Sequence, residues 1–186
     1  MNLQFYLEKL FASEKFQSFV KENPSAYFCS GFISIDKEKG DNKIHIDYII
    51  PETKKIFSFQ LEGEVDMIPV EQSGEGLEPI GTQGCTPKNI PKNIFTKGNN
   101  LDFDFEEIEK MIEDKIKEQE IKNKIQKILL SLQKVKGKTI LVGTIFISGL
   151  GMIKIKINLE EKRIVEFEKK SFFDMFNILR KSDVGV

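Results

Sequence analysis

Among its 186 residues the chain has no tryptophan, a single histidine and only two cysteines. One histidine, His45, cannot build a multi-histidine metal site, and Cys29 and Cys85 stand far apart with no C-x-x-C spacing. That spacing excludes a thiolate zinc site and a disulfide framework, so no metal or other cofactor is expected. The glycines never fall as G-x-G-x-x-G or as a phosphate-binding loop, which leaves nucleotide binding without support. Charge of one sign is also lacking. The formal net charge is −1, so there is no bulk attraction to nucleic acid or to an acidic membrane.

Long apolar runs are missing as well. The longest uncharged stretch, "TILVGTIFISGLGMI" at 139–153, would reach only about 22 Å as a helix, against a hydrocarbon core of about 30 Å. No membrane span is expected. The opening "MNLQFYLEKLFASEK" does not place a basic region before an apolar one, so no signal peptide is read and a reducing cytoplasm is the expected compartment.

What is present is an ordinary globular composition, 40% apolar and 31% charged, with 16 phenylalanines to fill the core. Leu3, Tyr6, Leu7, Leu10 and Phe11 form one helical stripe. Ser13 can cap a second helix that buries Phe16, Phe19 and Val20, and "NP" at 23–24 ends it. Strands are expected at 26–35, apolar on both faces, and at 43–50 and 55–62, which alternate. The turn-forming "PETK" at 51–54 joins the last two. Residues 66–101 lose periodicity and collect proline and glycine, apart from a short strand at Val65–Val70.

The pattern then resumes. Asp104 and Glu107 stand at capping-box spacing ahead of an expected helix to about Val135, kinked or broken near Gln119 and stopped by Gly137. Strands follow at 138–148, 152–159 and 163–169, then a last helix capped by Ser171 that buries Phe172, Met175, Phe176 and Leu179. Gly31, Ile33 and Ile35 align with Gly143, Ile145 and Ile147, and the next two strands align in turn. The expected fold is therefore α+β: two related modules, each a helical segment followed by an antiparallel three-stranded meander. Residues 1–65 form the first, 66–101 a Gly/Pro-rich connector, and 102–186 the second, with the sharing of one sheet left open. This order of elements resembles the topology of cystatin-like and PepSY-like modules, and topology alone implies no activity.

Alternation also sets a register. Ile46 should face Phe59 and Tyr48 face Phe57, with Lys43 opposite Glu62. In the second hairpin Ile155 should face Phe167 and Ile157 face Val165, with Lys154–Glu168 and Lys156–Glu166 as outer pairs.

Three residues are candidates for chemistry. His45 with Asp47 two positions along the same strand face could be a base and its orienting carboxylate, or simply a solvated face. Cys85, in "GTQGCTPKNIPKNIF", is a glycine-flanked thiol, yet the tandem "PKNI" reads better as an extended tether. Lysines crowd 122–138, where six bases meet no acid. The preceding stretch 102–120 carries nine acids against three bases, which suits the dipole of one long helix better than a nucleic-acid surface. The expected function is non-catalytic: a protein-interaction or scaffold protein, with a protein partner or a second copy bound at a sheet edge, on a sheet face or along the long helix. An enzyme with a site between the modules, and a nucleic-acid-associated protein using the basic second half, are the alternatives.

Overall fold

The computed structural model describes residues 3–71, 74, 76–80 and 103–171. Two helices open the chain, α1 (Leu3–Ala12) and α2 (Glu14–Glu22), followed by strands β1 (Tyr27–Asp36), β2 (Lys43–Ile50), β3 (Lys55–Gln60) and β4 (Asp66–Val70). After helix α3 (Phe105–Glu118) come β5 (Ile125–Val135), β6 (Lys138–Ile147), β7 (Gly151–Asn158) and β8 (Arg163–Ser171). All eight strands join one antiparallel sheet in the order β4-β3-β2-β1-β5-β6-β7-β8.

This overturns the two-module expectation and its cystatin/PepSY-like topology. β1 pairs with β5 along the run from Ser30↔Gln133 to Asp36↔Lys127, so the hydrogen-bond ladder never breaks between the halves. One apolar core also spans both, from Leu3 through Ile46 and Phe59 to Ile155 and Leu159. Nor do the aligned strands occupy matching places. β1 lies between β2 and β5, whereas its sequence counterpart β6 lies between β5 and β7.

The second correction explains the first. The helix expected to run to Val135 stops at its C-cap, Gln119, and residues 125–135 form β5. Ile121, Ile125, Ile128, Leu132 and Val135 do fall at helical spacing, but the residues actually buried are Ile128, Leu130 and Leu132, a period of two. The break expected near Gln119 is present, and Glu120 there takes a positive φ of 53°. The basic stretch 122–138 is therefore a strand and its flanks, with no helix dipole to answer.

Helices form where the stripes placed them. Ser13 accepts from Phe16 N and caps α2, while Asp104 accepts from Glu106 N and caps α3. α1 buries Leu3, Leu7, Leu10 and Phe11, and α2 buries Phe16, Phe19 and Val20. Phe16 meets Tyr48 and Phe59 edge-on, with ring centroids 5.0 and 5.3 Å apart. α3 buries Phe105, Ile108, Ile112 and Ile116, and ion pairs tie it to the turn after central strand β1 and to the β7–β8 turn: Glu109 to Lys37 and Glu107 to Lys162. All three helices thus share one face.

The first predicted register is met, with Ile46↔Phe59 and Tyr48↔Phe57. The ladder ends at His45↔Gln60, short of Lys43 and Glu62, and the two charges find other partners: the Lys43 ammonium approaches Asp41 at 3.6 Å, and Glu62 accepts from Ile44 N. In the second hairpin Ile155↔Phe167, Lys154↔Glu168 and Lys156↔Glu166 hold. A bulge then shifts the ladder, so that Ile157 faces Ile164 and Val165 is left exposed. The C-terminal helix expected after Ser171 lies outside the described residues, and Ser171 itself ends β8.

Candidate functional site

Because strand side chains alternate, a sheet with helices on one face presents a second set of residues on the other. Two rows cross this second face. One runs Gln60, His45, Phe32, Ser131, Val142, Lys156 and Glu166 from β3 to β8. The next runs Lys43, Ser34, Leu129, Thr144, Lys154 and Glu168 from β2 to β8. Near the β2–β3 hairpin this face is partly covered: Leu77 packs with Cys29, Ile49 and Ile56, and Tyr27 Oη donates to Leu77 O at 3.2 Å. Over β5–β7 no described element covers it.

There the two rows enclose an open concavity of about 460 Å³. Phe32, Leu129 and Val142 give it an apolar floor, Ser131 and Thr144 add hydroxyls, and Lys154, Lys156 and Glu166 stand at one rim. Gly143 in its lining is there for a packing reason. On the core side a Cβ at this position would come within 2.5 Å of Leu130 Cδ2 and 2.6 Å of Leu129 O, so β6 lies tight against β5. Gly31, its sequence counterpart, is under no such pressure: a Cβ there finds only ordinary contacts at 3.5 Å.

The electrostatics of the rim are uneven. Lys156 Nζ donates to Glu166 Oε2 at 2.9 Å. Glu168, opposite Lys154 in the register, turns instead to Lys170 at 3.2 Å. Lys154 therefore has no carboxylate partner among the described residues, although it projects beside the apolar floor. The sequence had assigned that ammonium to Glu168. Lys170, two residues further along β8 and so on the same strand face, was the signal that a competitor existed.

The predicted catalytic candidates are not brought together. His45 Nε2 lies 3.8 Å from Glu62 and its ring packs 5.8 Å from Phe32, whereas Asp47 accepts from Ser30 Oγ at 2.6 Å. The imidazole and the carboxylate thus have separate partners, and no base–orienter contact joins them. Cys85 lies outside the described residues. Cys29, a residue the sequence reading passed over as a site, is buried, and its thiol donates to Asp47 O at 3.4 Å. Burial, with the Asp47 charge adding to it, pushes that thiol up to about 12, so it carries no thiolate at neutral pH. No cluster of three or more His, Cys, Asp or Glu side chains poised for a metal occurs among the described residues. Two further grooves border α3, of about 530 and 390 Å³. The larger is lined by Met111 and Ile164 among ammonium and carboxylate groups, the Lys115–Glu118 contact at 2.8 Å among them.

No helix among the described residues is long and apolar enough to cross a membrane. No protein-family model matches the chain, and no curated protein matches it. One solved structure, described as a "putative lipoprotein" from Clostridium difficile 630, is similar at 12% identity over 84% of this chain and 91% of that one, with a TM-score of 0.42.

Proposed function

We propose that this chain is a non-catalytic binding protein that holds a small, apolar-bodied ligand on the sheet face opposite its described helices. The observation carrying this reading is the concavity floored by Phe32, Leu129 and Val142, apolar side chains standing on a face where the described helices do not reach. Its volume falls within the range of about 300–1,000 Å³ usual for small-molecule sites.

The other binding modes expected from the sequence have less support. The overhanging helix does not exist, since α3 ends at Glu118. Both edges of the sheet are defended against strand addition. β4 is five residues long and contains Pro69, which has no N–H to offer. β8 carries Arg163, Glu166, Glu168, Lys169 and Lys170. A peptide laid on the face itself would find its backbone without partners, because the sheet's own amides and carbonyls are spent in the ladder. An apolar body needs only side-chain contact.

The test uses N-phenyl-1-naphthylamine, a neutral apolar dye whose emission rises in apolar surroundings. Wild-type protein is expected to enhance it saturably, and Val142→Arg, which puts a charge on the concavity floor, is expected to abolish the enhancement while the circular dichroism spectrum is kept. Enhancement that survives both Val142→Arg and Leu129→Asn would place the dye elsewhere and end this reading.

A further inference from the structure

We infer that the ligand is a single-chain amphiphile bearing one carboxylate, and that Lys154 is the residue that selects it. This rests on the proposed binding face and goes one step further, to the chemistry of the ligand's head.

Four side chains at the β7–β8 end of this face carry opposite charges in two sets, Lys156 with Glu166 and Lys170 with Glu168. Each set is neutral. Among the described residues Lys154 is left over, one position from the floor: it lies opposite Thr144, which in turn lies opposite Leu129. An ammonium beside an apolar surface attracts a negative charge more strongly than one fully surrounded by water, because the low-dielectric side screens less. A single unmatched cation balances a single anion. A phosphate dianion would leave net negative charge, and Glu166 and Glu168 on the same rim would repel it.

The apolar part follows from size and shape. About 460 Å³ lies toward the low end of ligand sites. That suits one alkyl chain lying across Phe32, Leu129 and Val142 with its head toward β7, whereas a two-chain lipid would leave much of its apolar surface outside. The hydroxyls of Ser131 and Thr144 line the path between floor and head; Ser131 Oγ accepts from Gln133 Nε2 at 2.9 Å and keeps its own O–H to donate. Thr144, directly opposite Lys154, is the hydroxyl placed to donate to a carboxylate oxygen at the head.

Displacement of N-phenyl-1-naphthylamine tests this separately from the reading beneath it. Dodecanoate and dodecanol, each below its aggregation limit, compete for the bound dye on wild type, Lys154→Met and Lys154→Arg. A charge-assisted contact at a half-wet site should make dodecanoate about tenfold the better competitor on wild type. Lys154→Met should erase that preference by weakening dodecanoate alone, and Lys154→Arg should restore most of it. Raising the salt concentration should narrow the gap on wild type and leave Lys154→Met unchanged. Equal competition by acid and alcohol on wild type, with the dye still bound, would overturn the carboxylate assignment and leave the apolar site standing. A preference for dodecanoate that persists in Lys154→Met would overturn the role of Lys154. Failure of the dye to bind would overturn the face itself.

Discussion

At the residue scale, Cys29 shows how one side chain links register, burial and pH. The β1–β2 ladder steps from Phe28↔Tyr48 to Ser30↔Asp47, so Cys29 is the extra residue of a bulge. It is 1% exposed, packed with Ile49 and Ile56 and closed over by Leu77. That a strand at 26–35 would be sheltered on both sides was legible from its apolar residues on both faces, and Cys29, Ile33, Ser34 and Ile35 are all buried. The bulge was not legible, because an extra residue leaves no mark on a strand whose two faces are equally apolar. A thiol raised from 9.0 to about 12 by folding favours the native state only while it stays protonated in both states. Below about pH 9 its effect on stability is flat. From there toward 12 the unfolded thiol ionises and the folded one does not, so stability should fall by up to about 1.4 kcal/mol per pH unit. In a Cys85→Ser background, urea titrations at pH 8 and pH 10.5 should show the loss, and Cys29→Val should lack that part of it. Iodoacetamide should label the native protein at pH 8 no faster than it unfolds. Rapid labelling of native protein would refute the burial argument.

At the scale of elements, Gly137 carried an ambiguous signal. A glycine after an apolar, lysine-rich segment reads as a helix C-cap, since its positive φ suits the left-handed residue that ends a helix. The same φ suits the second position of a two-residue hairpin, and this is its use: Lys136 has φ 51° and Gly137 φ 77°, and Val135 pairs directly with Lys138. Two observations decided the matter, and neither is local. The buried set in 125–135 has period two, and β1 offers a free edge to pair with. Sequence periodicity cannot report the second, which is why α3 was read too long while its N-cap and its break at Gln119 were read correctly. The turn is further held by Glu78, whose carboxylate accepts from Lys136 N at 2.7 Å and Gly137 N at 3.0 Å. A β-branched residue at Gly137 must take a left-handed backbone, so Gly137→Val should cost about 1–2 kcal/mol. Lys136→Asn keeps both backbone donors and supplies the Asn-Gly pair such turns prefer, and should raise the melting temperature. Were residues 121–136 a helix ended by Gly137, Gly137→Val would still be costly, but Lys136→Asn would lower the melting temperature, because asparagine is the poorer helix former.

For the whole molecule, the question is whether 186 residues fold as one unit or two. Nine of the expected strands and helices form close to where they were placed, and the Lys156–Glu166 and Ile46↔Phe59 pairs are present. What failed was the inference from local likeness to separate cores. The proposed binding face was hidden for the same reason: with 125–135 taken as helix, Leu129 and Ser131 could not be seen as neighbours of Phe32. In the structure Ile46 shares a cross-strand row with Gly31, Leu132, Leu141 and Ile157. Ile155 shares the next with Gly143, Leu130, Ile33 and Ile44. Both rows run without interruption beneath the helices, and both belong to one core. A cavity opened at either end should therefore loosen the same cooperative body. Ile46→Ala and Ile155→Ala should each cost about 2–5 kcal/mol and shift the entire unfolding transition. Tyrosine fluorescence, dominated by the core around Tyr48, and far-ultraviolet circular dichroism should then give coincident midpoints in both variants. Two independent modules would behave otherwise: Ile155→Ala would lower one phase and leave the tyrosine-reported phase of the first half unmoved. The β1–β5 seam makes that outcome incompatible with the structure, since the strand that completes the first half's sheet belongs to the second.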